Sequence, residues 1–345
     1  MFGMDAPIRR YFSKLASFLL LLSATNVSAF AQTSFSAQHA PVATSADSTP
    51  VSTNAPVSAA NERVATAQGG WFVGAEWLAW DVSQSNLSYA KTLNPVWLTP
   101  QREASLAPSG NGVRGRVGYC FANSFDVSWN YVNFSADDAG KFDASTAPDS
   151  ALVATPSALD LASSRVAAQT SVDLETHDLE IGRWLEFDSL SFRPFASLRW
   201  LEIGENFDVD YAYDDLSGGE IANRISNSFK TEGYGLRLGG EGVWNIGGGF
   251  NLFGKGAISA LTGSQTVRTF ETDGVQGAIT DYYGKSSETF VGVDAQAGAA
   301  WKIGNFEFKG GYELNSWFDA AIVNGDKSDF KTDGFFAGAS WTLCF

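Results

Sequence analysis

Arg114 and Arg116 stand two residues apart in the stretch Val113 to Phe121, and Glu307 and Lys309 repeat that spacing near the end of the chain. In an extended strand, residues two apart point to the same side, so each pair puts two charges on one face. Reading the same parity along neighbouring stretches adds Glu76, Asp126, Glu180, Arg193, Arg199, Arg237, Glu241, Lys255, Asp294, Lys302 and Glu313 to this inward set. Both signs are mixed. On the wall of a water channel such charges bias ion passage; in a narrow tube they pair across it and close it. The residues themselves leave both chemistries open.

Other reactive groups are sparse. His177 precedes Asp178, but no nucleophile can be assigned to the pair, so no catalytic set is expected and the chain does not read as an enzyme. Asp208, Asp210, Asp214 and Asp215 gather the carboxylates that calcium takes. They lack the central glycine and closing glutamate of a calcium loop, and read as solvated charge where divalent cations could settle. No metal site and no cofactor is expected. Cys120 and Cys344 fall inward near one rim with the first strand between them. Two strand spacings, about 9.5 Å, exceed ordinary disulfide reach.

The elements that must carry these residues alternate with period two. In the last stretch, Phe335, Ala337, Ala339, Trp341, Leu343 and Phe345 are apolar, with Gly338, Ser340 and Thr342 between them. Phe125, Val127, Trp129 and Tyr131 alternate likewise with Asp126, Ser128 and Asn130. That is how a strand with one lipid face and one lumen face reads. Short turns near 122–124, 187–189, 247–249 and 304–305 alternate with long polar segments near 81–111, 135–168, 204–228, 263–286 and 319–332. Unpaired strand edges in hydrocarbon leave backbone polarity unsatisfied, so the sheet must close. The expectation is an all-β, antiparallel up-and-down transmembrane barrel of about ten strands, roughly eight to twelve, with short periplasmic turns and long extracellular loops. A soluble sandwich accounts for neither the loop asymmetry nor the secretory signal described next.

Residues 1–31 read as a signal peptide: Arg9, Arg10 and Lys14 precede the apolar run Leu15 to Leu22, and Ala29-Phe30-Ala31 supplies small residues for cleavage. Residues 32–68, rich in Ala, Ser, Thr and Pro, read as a disordered periplasmic arm, and the barrel occupies 69–345. With 35 Gly, 26 Phe and 11 Trp against 2 His and 2 Cys, the composition suits glycine-relieved, aromatic-faced strands. The formal charge of −15 disfavours a nucleic-acid partner. Outer-membrane lipid is the expected partner, and the outer membrane of a Gram-negative-type bacterium the expected location.

Two stretches break the alternation. Val172 and Leu174 are apolar at even positions, Leu179 and Ile181 at odd ones, so the phase flips between Glu175 and Asp178. A β-bulge there is expected, with a strand running past the membrane edge as the alternative. A second flip between Trp200 and Ile203 marks a strand leaving the hydrocarbon. Ser157 to Val166, after Pro156, reads as a surface loop able to form a short helix.

From about residue 69 onward the chain resembles the Legionella-type major outer membrane protein family of pore-forming barrels, versions of which occur in planctomycete-like bacteria. The resemblance is carried by Gly69-Gly70-Trp71 to Trp80 with Glu76 inside it, Asp178-Leu179-Glu180 to Trp184, Pro194-Phe195 to Arg199-Trp200-Leu201, Tyr234-Gly235 to Gly240, Gly311-Tyr312-Glu313 to Trp317-Phe318, and terminal Phe345. It implies a porin-like pore for ions or small hydrophilic solutes; the mixed charges in a small lumen leave a non-conducting surface protein, an adhesin or envelope-structural barrel, as the competing class. The resemblance also implies that Phe345 is the signal read by the barrel-assembly machinery.

Overall fold

In a computed structural model, the residues described are 69–84, 87–93, 100–143, 151–154, 157, 162–214, 219–275, 277–323 and 326–344. The expected signal peptide, the arm and Phe345 lie outside them. Ten strands close into one antiparallel ring: β1 (Gly70–Gln84), β4 (Ser109–Cys120), β5 (Phe125–Asp143), β7 (Arg165–Arg183), β9 (Leu190–Asp214), β10 (Glu220–Gly247), β11 (Phe250–Asp273), β12 (Gly277–Ile303), β13 (Phe306–Val323) and β14 (Asp326–Cys344). Pairing of β1 with β14 and of β9 with β10 completes the circuit. The short β8 (Leu185–Phe187) pairs with the start of β9. A separate three-stranded sheet is formed by β2 (Ser88–Leu93), β3 (Pro100–Ser105) and β6 (Ala151–Ala154).

The short turns follow Phe121, Phe187, Gly247 and Ile303, all at the end that carries Gly70 and Cys344. Left-handed backbone at Ser124, Asp188, Gly247, Gly248, Gly249 and Gly304 lets the chain reverse within a few residues. Gly70 is in register with both Cys120 and Cys344, so the first strand stands between the two cysteines.

At the other end the expected long loops are mostly strand. β9 continues to Asp214, β10 begins at Glu220, and β11 and β12 are separated only by residues 274–276. The segment expected as a loop over 81–111 contains β2 and β3. Within 157–166, Ala162 bridges Val153 and Arg165 already starts β7; residues 158–161 lie outside the described residues.

The expected β-bulge in β7 is not formed. Pairing of β7 with β5 and with β9 runs without a register shift, and even positions point inward from Val166 to Gly182. What inverts is polarity. Leu179 and Ile181 are outward and more than half exposed, while Val172 and Leu174 are inward and fully buried. β9 repeats this on its odd face, with Arg193 and Arg199 inward below, and Leu201, Ile203, Phe207 and Val209 inward above. In lipid the apolar face must turn out, and in water it must turn in. An unbroken strand crossing the boundary therefore exchanges the chemistry of its two faces.

The boundary is visible on the outer wall. Tyr131, His177, Trp200 and Tyr234 are paired across β5, β7, β9 and β10, an aromatic row of the kind that marks a membrane interface. In the next outward row stand Asn133, Glu175, Glu202 and Glu232, with Lys230 bridging Glu202 and Glu232 at 2.8 and 2.7 Å. β12 pairs with β13 only as far as Val291–Phe318, so beyond that pair the wall is open between β12 and β13, while β5, β7, β9, β10, β11 and β12 form its longest part.

Candidate functional site

The lumen is filled in two layers. The lower layer, enclosed by the lipid-facing band, is ionic. Glu180, with no solvent exposure, is its hub: Arg193 Nη1 donates to it at 2.6 Å and Arg237 Nη1 at 3.2 Å, while Arg116 and Lys255 approach to 3.6 Å. Arg193 is equally buried and also donates from Nε and Nη2 to Asp126. Arg199 forks onto Asp178 through two 2.7 Å bonds and reaches Asp294 at 3.2 Å; Arg237 also binds Asp294. A second group joins Arg114 to Glu76 at 2.7 Å and to Glu313 at 2.7 and 2.8 Å, with Lys309 on Glu76 at 2.6 Å. These are charge-assisted bonds in good geometry.

Glycine makes room for this layer. A Cβ on Gly182 would lie 2.5 Å from the Arg193 guanidinium carbon. Phe195 lies beneath Arg193, Arg237 and Lys255, at 5.5, 4.9 and 4.7 Å from its ring centroid.

The upper layer is apolar. Leu78, Trp80, Val132, Phe134, Val172, Leu174, Leu201, Ile203, Phe229, Leu261, Phe290, Trp317, Ala320, Phe330 and Phe336 form one contiguous buried cluster, to which every barrel strand except β4 contributes. A Cβ on Gly233 would meet Phe290 at 2.4 Å, so this glycine seats the ring. After Phe318, β13 leaves β12 and turns inward, with Asp319 in a left-handed conformation. There Gln265 Nε2 donates to the Asp319 carbonyl at 2.9 Å and Thr231 Oγ1 to that of Ala320 at 2.7 Å.

Between the short turns and this plug lies a cavity of about 370 Å³. Of the residues assigned inward from sequence, it is lined by Glu76, Arg114, Arg116, Asp126, Arg199, Arg237, Glu241, Lys255, Asp294, Lys302, Glu307, Lys309 and Glu313; Glu180 and Arg193 are buried behind them. Lys302 and Glu307 face each other in register near the turns. Sequence reasoning left out Asp178, which binds Arg199. Its alternation with Glu180 and Thr176 would have placed it, had the polarity inversion been recognised. His177 and Asp178 point to opposite faces: His177 stacks on Trp129 and bonds to Glu175 at 2.9 Å on the outer wall.

The family described as Legionella pneumophila major outer membrane protein precursor matches residues 63–343. The chain belongs to this family. Among solved structures, similar folds include the outer membrane protease OmpT from Escherichia coli, at 13% identity over 80% of this chain and 97% of that one, TM-score 0.43. Others are the attachment invasion locus protein Ail of Yersinia pestis, at 11% identity over 80% and 99%, TM-score 0.27, and a major outer membrane protein from Thermus thermophilus, at 11% over 80% and 99%, TM-score 0.29. A search of curated proteins found no match. Family membership, with the lipid-facing band, locates this barrel in the outer membrane.

Above the plug, Asp208 is engaged by Gln169, Arg224 and Ser226, and Asp210 lies 3.9 Å from Arg224. Asp215 lies outside the described residues. Among the described residues no cluster of metal-ligating side chains forms. Glu205 points inward at 3% exposure, sharing its strand face with Ile203 and Phe207. Burial pushes its carboxyl up to about 8, against the opposing influence of Gln84.

Proposed function

We propose that this protein is a closed outer-membrane barrel: a non-conducting surface or envelope-structural protein that holds a water-exposed extension of its wall above the outer leaflet. The observation that carries this reading is the apolar plug. A hydrophilic solute moving through the lumen would have to part Phe134, Phe290, Phe330 and Trp317, which are at most 3% exposed. Truncating one buried Phe typically costs about 3–5 kcal/mol, which sets the scale of the packing to be displaced. The ionic layer favours closure as well, since its carboxylates and bases are spent on one another.

A second reading, a porin-like path for ions or small hydrophilic solutes, draws support from the charged cavity beneath the plug and from the pore that the family resemblance implies. Neither reading assigns a catalytic residue. Under both, lipid is the partner of the outward band and the acidic outer wall is where divalent cations would gather.

Planar-bilayer recording of the refolded mature chain separates the two. A folded, heat-modifiable barrel that gives no steps is the expected result. Reproducible steps whose ion selectivity changes in Arg116→Glu would overturn closure and establish the pore.

A further inference from the structure

Beyond Val291–Phe318 β13 leaves β12, and residues 277–290 of β12 pair with β11 alone among the described residues. Their other edge carries no strand. An edge strand offers a row of backbone N–H and C=O groups on which a further strand can pair.

This edge stands in water. The outward face of β12 turns from Val291 to Thr289 and Ser287, and Thr289 shares a register row with Tyr234 through Thr262. Tyr283 lies three outward positions beyond that aromatic row, in register with Arg268 and, through it, Ser228. It is no membrane anchor, yet it is 65% exposed, and Tyr282 on the other face is 53% exposed.

The sequence of the edge is complementary to itself. Two identical strands paired antiparallel are related by a two-fold axis, so residues equally far from the central one stand opposite each other. With Tyr283 at the centre, the outward face sets Asp281 against Lys285 of the second copy, and Tyr283 against Tyr283. The inward face sets Tyr282 against Gly284 and Thr280 against Ser286. Opposite charges, paired rings, a ring beside a glycine and paired hydroxyls are all favourable across a strand pair. In the single copy Asp281 is only loosely held, 3.6 Å from Arg268 with both side chains more than half exposed. A Cβ on Gly284 would lie 2.6 Å from Tyr282 Oη, so this glycine leaves room for a tyrosine on its face.

Charges commonly guard an edge against pairing. Lys285 alone would repel a second copy; Asp281, with Tyr283 midway between them, makes this one register attractive. Centring the pair on Asp281 or on Lys285 would instead set like charges face to face. We propose that the free edge of β12 joins two copies of this protein head to head, residues 280–286 of one pairing antiparallel with the same residues of the other. Antiparallel pairing points the two membrane-spanning ends in opposite directions, so the copies sit in facing membranes. The contact is separate from the lumen and holds whether or not the lumen conducts.

Sedimentation of the refolded mature chain in detergent micelles tests it, with a cysteine probe in a Cys120→Ser, Cys344→Ser background. A concentration-dependent dimer is expected. Tyr283→Cys, opposite itself across the two-fold axis, should give a disulfide-linked dimer under mild oxidation, and Ser287→Cys should not. Asp281→Lys should weaken the dimer roughly ten-fold by making two attractive pairs repulsive, and Asp281→Lys combined with Lys285→Asp should restore it. Lipid vesicles bearing the wild type should cluster, and those bearing Asp281→Lys should stay dispersed. A folded, heat-modifiable chain that remains monomeric overturns the proposal, as does a Tyr283→Cys chain that does not cross-link. A dimer that Asp281→Lys leaves unchanged, or that the double exchange fails to restore, overturns the register; wild-type vesicles that stay dispersed overturn the facing-membrane arrangement.

Discussion

Inside the barrel wall Arg193 donates to both Glu180 and Asp126. Taking away one partner of a fully buried ion pair leaves the other uncompensated, at a cost of about 3–5 kcal/mol. Arg193→Met should therefore lower the unfolding free energy of the refolded barrel, measured by urea titration, by an amount in that range. Arg193→Met with Asp126→Asn should recover part of the loss, since the double variant buries one orphan charge fewer. Equal midpoints for wild type and Arg193→Met would show that the network contributes nothing net. Glu205 poses the reverse problem above the membrane. Its folded carboxyl holds a proton up to about pH 8, where the unfolded one releases it near 4.5. Between those values the folded state binds more protons, so stability falls as pH rises, by up to about 1.4 kcal/mol per unit; below 4.5 the contribution is fully present. Urea midpoints measured from about pH 5 to pH 8 should decline in wild type and flatten in Glu205→Gln. A parallel decline in both would assign the pH dependence to other groups.

At the scale of the element, the inward turn of β13 is the feature that departs most from a regular barrel. Its register with β14 shifts between Trp317 and Ala321, and the freed carbonyls are met by Thr231 on β10 and Gln265 on β11. Removing a donor from a buried carbonyl costs about 1–3 kcal/mol, so Thr231→Val and Gln265→Leu should each speed amide exchange over 318–321 while leaving β5 and β7 protected. Uniform change across the barrel would mean the segment is not held locally. None of this was legible in the sequence, because an inward strap depends on contacts two and three strands away. The strands themselves were legible: alternation around Trp129 and Trp341 assigned their faces, and Gly304-Asn305 marked its turn. The alternation stopped working between Glu175 and Asp178, where equating apolar with outward ceases to hold. Above that level the same parity describes a water-soluble sheet, so the flip that looked like a bulge was a change of solvent.

For the whole molecule, strand length against membrane thickness explains why the lumen carries an apolar layer. Spanning the hydrocarbon takes about 9–11 residues of tilted strand, yet β10 has 28 and β12 has 27. The surplus stands in water and must bury an apolar face, and the concave inner wall is where it does so. The plug is thus the lower end of a soluble core that begins where lipid stops. A pore through this molecule would require emptying that core. Phe290→Ala combined with Phe330→Ala removes two rings from the plug, on the strands that flank β13, each at a cost of about 3–5 kcal/mol, within reach of a barrel that lipid also constrains. In planar bilayers, the double variant that still shows the heat-modifiable band should open small, cation- or anion-biased steps that wild type lacks, with the bias set by the charges beneath. Silence from a folded double variant would mean that the ionic layer alone seals the lumen, because Arg193, Arg199 and Arg237 with their carboxylates would then be the remaining barrier.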